Sequence, residues 1–514
     1  MKKRIFAVVC AVIMVLSLVS CGQNTDVATS DVNMNKEGLP IVNEPVTLKV
    51  SVQKAPHLID FKDMPLLQQL EEKTNVKIEW NQIPSESYWE KVNLMLASGE
   101  YPDVHLCLLS DVHLLELYQN EAVYKLDEYI DEYAPRWTEI FEKMPYARKA
   151  VTAGDGHIYS LPGIRDEEAY WGFRDAVFIN KDWLDKLGLP IPTTTEELKA
   201  TLIAFRDGDP NGNGQADEIP WSFVYGENIS GELDIYGAFG LIDVPDKFVL
   251  KDGKVVYSPL QEENKAAVRY LHDLYKEGLI DQESFTQKHA SLNAKVAAQP
   301  SLVGMYSAYG PVHDPDLSNY VAIAPVKAEG VEKPVVRSQT TQVMKGYFTM
   351  FKTNKHPEIT MRWANELADE EFGIEALYGP LEKQEDGTYT QKKLETDSSL
   401  STVPGTYGPF VTTDETLSRL VGNEGKEIRA SLYDVYKDYT TEVFPPVWYT
   451  AEQREVLTRY RTEINEYAKT TRADWIIKGT IDQEWDAFKE KVESMGLNNV
   501  LEVYQNAYDA FQAN

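Results

Sequence analysis

Residues 209–218 read DPNGNGQADE and place short oxygen-bearing side chains at alternate positions. Asp209, Asn211 and Asn213 fall at positions 1, 3 and 5 of a calcium-loop pattern. Gly214 sits at position 6, where such a loop turns sharply, and Gln215 at position 7 offers its main-chain carbonyl. Calcium is a hard cation that takes roughly six to eight oxygens, which alternating Asp and Asn can supply from one tight turn. The pattern departs at position 12, where Pro220 stands in place of the usual Glu. Glu218, two residues earlier, could close the shell, and a structural ion suits such a site better than a mobile sensor. A plain Gly/Asn turn is the alternative. It has no need of the three carboxylates Asp209, Asp217 and Glu218 within one short loop.

A second chemistry lies in the rings. The chain has 29 Tyr, 17 Phe and 10 Trp, and several of them lie in polar or Gly-rich surroundings. Trp171, Trp221, Tyr225, Tyr306, Tyr309 and Trp448 are the candidates. A sugar has an apolar C–H face, which a flat ring covers, and a rim of hydroxyls, which charged and amide side chains pair with. Arg165 and Arg174 are further candidates and would suit a carboxylated sugar. The competing role for any of these rings is core packing, and for either arginine a surface ion pair. Trp171 and Trp221 stand near expected turns. Tyr306 and Tyr309 follow a strand that should end near a cleft, and Trp448 follows the rigid bend Pro445-Pro446. Signs of catalysis are missing. His105 and His113 flank Asp111 at no compact zinc spacing, and there is no G-x-S-x-G, H-E-x-x-H or phosphate-loop motif. The chain is expected not to be an enzyme.

The N-terminus is an address. Lys2, Lys3 and Arg4 precede an apolar run that is too short to span a bilayer comfortably. The run ends in Leu18-Val19-Ser20-Cys21-Gly22, which resembles the lipobox of bacterial lipoproteins. That resemblance implies removal of residues 1–20 and an acyl (palmitate-type) lipid on Cys21, which places the protein at the extracellular face of the cell membrane. Residues 21–43 then read as a flexible polar tether. With Cys10 lost and Cys21 acylated, Cys107 remains alone, a small buried hydrophobe rather than a nucleophile.

The whole chain carries a net charge of −30 over 514 residues. That excess argues against nucleic acid as a partner, and against electrostatic adhesion to anionic lipid, so the membrane is met through the anchor alone. The hydrophobic fraction of 43% fills real cores, and the length exceeds what one core usually supports. Alternation predicts strands at 46–52 and 76–80, helices at 65–74 and 87–98 with Gly99 as the stop, and an apolar strand at 104–109. That order implies a parallel α/β lobe. A second α/β region follows, with strands at 177–179 and 302–306 and helices at 182–187, from 192 on (with a capping box) and at 261–277. A strand at 346–351, a helix at 357–369, a hairpin at Asp386-Gly387 and a helical C-terminal part complete the chain.

Three segments, taken with the lipobox, carry a family resemblance: LASGEYPDV at 96–104, FINKDWLDKLGLP at 178–190 running into PTTTEEL at 192–198, and DQEWDAF at 482–488 followed by Gly496-Leu497 and YQNAY at 504–508. Together they resemble the family-1 extracellular solute-binding lipoproteins of carbohydrate ABC importers, in the long subgroup that includes alginate-binding proteins. The resemblance implies a two-lobe periplasmic-binding-protein-like α/β fold (type II) with a hinge between the lobes. It puts 44–160 plus about 341–380 in lobe 1, and 161–340 plus about 381–514 in lobe 2. It implies an oligosaccharide ligand in the cleft, ABC permease subunits as partners, and a monomer. The subgroup's variant calcium loop implies Asp209, Asn211, Asn213, Gln215, Asp217 and Glu218 as ligands. A peptide-binding lipoprotein and, less favoured, a secreted glycoside hydrolase are the rival readings.

Overall fold

The computed structural model describes residues 33–310, 319–339, 342–392 and 399–513. Residues 1–20, expected to be a signal peptide, and Cys21, the expected lipid site, lie outside the described residues. Most of the expected elements form where pattern and caps place them. Pro65–Thr74 is helical with Pro at its first turn, and Asn75 closes it in the left-handed conformation. Tyr88–Ser98 ends at Gly99, whose φ of 70° a side chain would resist. Thr194 and Glu197 form the capping box that opens Thr195–Asp207.

The first sheet has six strands in the order Val411–Thr413, Leu161–Asp166, Gln342–Met350, Val104–Leu106, Val46–Lys54 and Val76–Pro84. It is mixed rather than parallel, because Gln342–Met350 returns from the second sheet and runs antiparallel to both neighbours. The other five point the same way, so their carboxyl ends share one edge. The second sheet is Tyr320–Ile323, Ala176–Asn180, Val303–Ala308 and Ile219–Trp221. Each sheet has its own core. One gathers Val50, Val104, Ile164, Phe348 and Trp363, and the other Ile179, Phe205, Met305, Ile464 and Trp475. The long C-terminal helices Ala451–Lys478, Ile481–Ser494 and Leu497–Ala513 belong to the second core.

Three expectations are corrected. Leu161–Asp166 and Val411–Thr413 fall beyond the boundaries expected for lobe 1, yet both pair in the first sheet. The flexible tether expected over 21–43 has given way by residue 33, since Ile41 and Val42 are wholly buried and Ile41 N–H donates to Thr74 O at 2.9 Å. The strand expected to reach residue 109 stops at Leu106, because Cys107 and Leu108 take positive φ angles of 83° and 26°.

The described chain passes between the sheets after Asp166, after Ile323 and after Thr413. The last passage leads to Glu424–Tyr436, where Tyr436 Oη accepts from Val177 N–H and donates to Ile323 O.

Candidate functional site

Leu161–Asp166 delivers Arg165 to the carboxyl edge of the first sheet. The short helix Glu168–Trp171, on the way to the second sheet, then presents Tyr170 and Trp171. Tyr309 arrives from the other side, just past the end of Val303–Ala308. The ring centroids of Trp171 and Tyr309 lie 5.5 Å apart, and those of Tyr170 and Tyr309 6.1 Å. The Arg165 guanidinium sits 5.5 Å from the Trp171 ring and that of Arg174 6.0 Å from the Tyr309 ring. Four of the eight expected ligand residues therefore meet in one cluster, where the two sheets come together.

The cluster is braced from behind. Trp171 Nε1 donates to Glu167 Oε2 at 3.0 Å, as does Tyr378 Oη at 2.9 Å. Glu167 is 1% exposed, and that burial pushes its carboxyl above the usual carboxylate range. Arg429 stacks on Phe173 at 3.8 Å and on Tyr309 at 4.0 Å. It also donates to the carbonyls of Tyr170, Phe173 and Tyr309. Fixed rings of this kind lose little freedom when a ligand covers them. Among the described residues, no hydrogen bond or ion pair occupies the guanidinium of Arg165, and Arg174 Nε is buried without a partner. Both arginines thus bring unclaimed donors to the rings. A cavity of about 460 Å³ opens on one flank of Trp171, between Gln339, Thr440 and Pro446. A larger recess of about 1030 Å³ lies among charged side chains such as Arg136, Asp369 and Glu371, and carries none of the candidate rings.

The remaining rings are spoken for. Trp221 is 2% exposed and packs edge-on against Phe223, under the helix Thr195–Asp207. Tyr306 is buried because it stands directly opposite Phe178 in the sheet, and the two rings stack at 5.5 Å. Tyr225 is buried against Phe285 and donates to Lys469 O at 2.8 Å. These three are buried core residues, although Trp221 also lines a small cavity with Asp234 and Met305. Trp448 is half-buried, donates from Nε1 to Ala150 O at 2.7 Å, and has Lys345 Nζ 4.5 Å from its ring. It ties the segment ahead of Ala451–Lys478 to the first lobe, and Pro445 and Pro446 just before it line the cavity beside Trp171. Cys107 is buried, with its thiol pushed up to about 12 by burial, and His105 is a core imidazole lowered to about 4 by the same cause.

The loop 209–218 joins Thr195–Asp207 to Ile219–Trp221 and folds on itself. Asp209 accepts from Gly214 N–H, Asn211 Oδ1 from Asn213 N–H, and Asn213 Oδ1 from Gln215 N–H. Asp217 takes the side-chain amides of Asn211 and Asn213 at 2.8 and 3.0 Å. Gly212 and Gly214 hold φ angles of 74° and 73°. Among the described residues no three His, Cys, Asp or Glu side chains are grouped to hold a metal, so a cation here would draw on amide and main-chain oxygens as well. The donor set allows that, since a half turn of an Asn amide exchanges its nitrogen for its oxygen. Glu218 points the same way. Its Oε1 is buried without a partner, and partial burial together with the charges of Asp209 and Asp217 raises its carboxyl. A divalent cation would relieve both.

Two sheets joined by several passages, with a ring-lined site between them, define a two-lobe α/β binding protein. Residues 55–373 match the family of bacterial extracellular solute-binding proteins, and the chain belongs to that family. It is 32% identical over 97% of its length, and 96% of the relative's, to the fructooligosaccharide ABC transporter substrate-binding protein FusA of Streptococcus pneumoniae serotype 4. Two solved structures of that protein, one in complex with kestose and one an EF-hand mutant in complex with fructo-nystose, each superpose with a TM-score of 0.79 at 29% identity. Each superposition covers 91% of this chain and 100% of the other. The alginate-binding protein AlgQ2 shares the fold, with a TM-score of 0.68 at 22% identity over 92% of this chain and 100% of that one.

Proposed function

We propose that the protein captures an oligosaccharide between its two lobes and delivers it to an ABC permease, and that the sugar is a fructooligosaccharide. The observation that carries this reading is the Trp171–Tyr309 ring pair, with the unclaimed donors of Arg165 and Arg174 beside it. Rings cover the C–H face of a sugar, and guanidinium groups pair with its hydroxyls. The substrate named for the pneumococcal relative supports the sugar class. Closure about the passages between the sheets would bury both faces of the ligand. Binding without cleavage is the expected chemistry. In a thermal-shift series, fructooligosaccharides should raise the melting midpoint by mass action, while the sugar is recovered intact. Unchanged midpoints across the series, or release of reducing sugar, would remove this reading.

The same reading makes the protein a monomer, anchored at the extracellular face through a lipid on Cys21. A single acyl chain anchors only marginally, and the lipoprotein pattern supplies more than one. Cys21→Ser should therefore appear in the medium or remain unprocessed. A variant that is processed normally and stays with the membrane would refute the anchor. We assign residues 209–218 as a structural calcium site, held by Asp209, Asn211, Asn213, Gln215, Asp217 and Glu218. The EF-hand of the pneumococcal relative supports that assignment. The ion would tie the end of Thr195–Asp207 to the edge strand Ile219–Trp221 and neutralise the three carboxylates between them.

A further inference from the structure

We infer that the first lobe carries a second ring platform, centred on Trp89, which engages the far end of a long sugar chain and so selects ligands by length. This rests on the reading of the site as an oligosaccharide site. Trp89 is the second residue of the helix Tyr88–Ser98, and 45% of it is exposed. Isolated exposed rings are ordinary, but this one is held. Its centroid lies 5.0 Å from Tyr88, edge to face, and 5.4 Å from His113. Tyr88 is itself pinned, with its Oη 2.8 Å from His105 Nε2 and donating to Cys107 O at 3.0 Å. His113 Nε2 lies 3.2 Å from Asn93 Oδ1. The indole is thus backed by core on one side and open to solvent on the other, and Leu108 and Val112, beyond the end of Val104–Leu106 two strands away, are exposed by 39% and 56%.

Its position supplies the function. Trp89 follows the carboxyl end of Val76–Pro84, and Leu108 that of Val104–Leu106. Arg165 and Trp171 lie at the carboxyl end of Leu161–Asp166, which points the same way, so all of them stand on one edge of the first sheet. In the strand order, four spacings separate Leu161–Asp166 from Val76–Pro84, which is about 19 Å at ~4.8 Å each. Gln53 and Tyr347 belong to strands between them, and Cys107, just past the end of Val104–Leu106, lies buried with its sulfur 3.7 Å from the Gln53 amide oxygen. The edge therefore offers a ring at each end, with the half-buried Gln53 between them. A chain of three sugars anchored on Trp171 stops short of Trp89, and a chain longer by two or more units reaches it.

The test is calorimetric titration of the full mature protein with kestose and with longer inulin-type fructans. Trp89→Ala should weaken binding of the long chains about tenfold, the loss typical of an interface ring, and leave kestose within about twofold of the parent. Trp89→Phe, which keeps a ring, should recover most of the difference, and an unchanged melting midpoint for both variants excludes misfolding. If the parent binds the series and Trp89→Ala changes every affinity by the same factor, or none, the platform is wrong while the sugar site stands. Loss of uptake with all affinities intact would make the patch a protein-docking face and would equally overturn the platform. If the parent binds no member of the series, the oligosaccharide reading falls, and the platform with it.

Discussion

Trp171→Ala should weaken oligosaccharide binding by about 1–3 kcal/mol, roughly tenfold to a hundredfold, as truncation of a buried interface ring does. Three contacts bear on the size of the effect. The ring stands 5.5 Å from Tyr309 and from the Arg165 guanidinium, so its removal opens the platform and frees the arginine to move. The indole N–H satisfies Glu167 Oε2, and the alanine variant leaves that buried carboxylate with Tyr378 as its remaining partner in this pair. Trp171→Phe separates the two effects: it keeps a ring and loses the N–H, so a sugar contact made through the ring face is largely retained. Arg165→Met removes donors that no protein group claims. It should cost affinity with little change in melting midpoint, the opposite of what a structural ion pair would show. Titration of Trp171→Ala, Trp171→Phe and Arg165→Met against the same fructooligosaccharide decides the matter. Parent-like affinity in both Trp171→Ala and Arg165→Met would dismiss the cluster as the binding site.

Chelation of calcium-loaded protein should lower its stability by about 2.7 kcal/mol if the ion had been present at a hundred times its dissociation constant. The cause is local. Without a cation, Asp209, Asp217 and Glu218 repel one another, and Glu218 Oε1 stays buried with no partner. The double variant Asp209→Ala, Asn213→Ala should melt near the chelated parent and ignore added calcium. Scanning calorimetry with and without chelator measures both. An identical midpoint for parent protein in calcium and in chelator would sink the site. Because the loop leads into one strand of the second sheet, the loss should fall on that lobe, and the melting of the first lobe should shift little.

The two sites differ in how far they could be read from the chain. The proposed calcium loop is a matter of spacing within ten residues, and the side-chain contacts within it span at most six positions. The caps at Thr194 and Gly99 are equally local, which is why helix ends matched expectation closely. The ring site is different. Trp171 and Trp221 look alike in sequence, both in polar stretches near turns, yet one is half-buried beside a cavity of about 460 Å³ and the other 2% exposed. Their fates diverge because Ile219–Trp221 lies beneath the helix Thr195–Asp207, while Glu168–Trp171 stands in a passage between the sheets. Tyr306 and Tyr309, three residues apart, part company because the first still faces Phe178 across the ladder and the second has left the strand. Arg429 reaches Tyr309 over 120 residues and Tyr170 over 259, and no local pattern announces such a contact.

By itself, the sequence determined the α/β elements and the family, and it carries the patterns on which the proposed lipid anchor and ion loop rest, since each of these is written in neighbouring residues or in segments of fixed order. Tertiary structure decided which strands share a sheet, which rings keep an open face and which guanidinium groups are left unclaimed. Burial and pairing depend on what packs against a side chain from distant parts of the chain, and spacing along the chain carries no record of that.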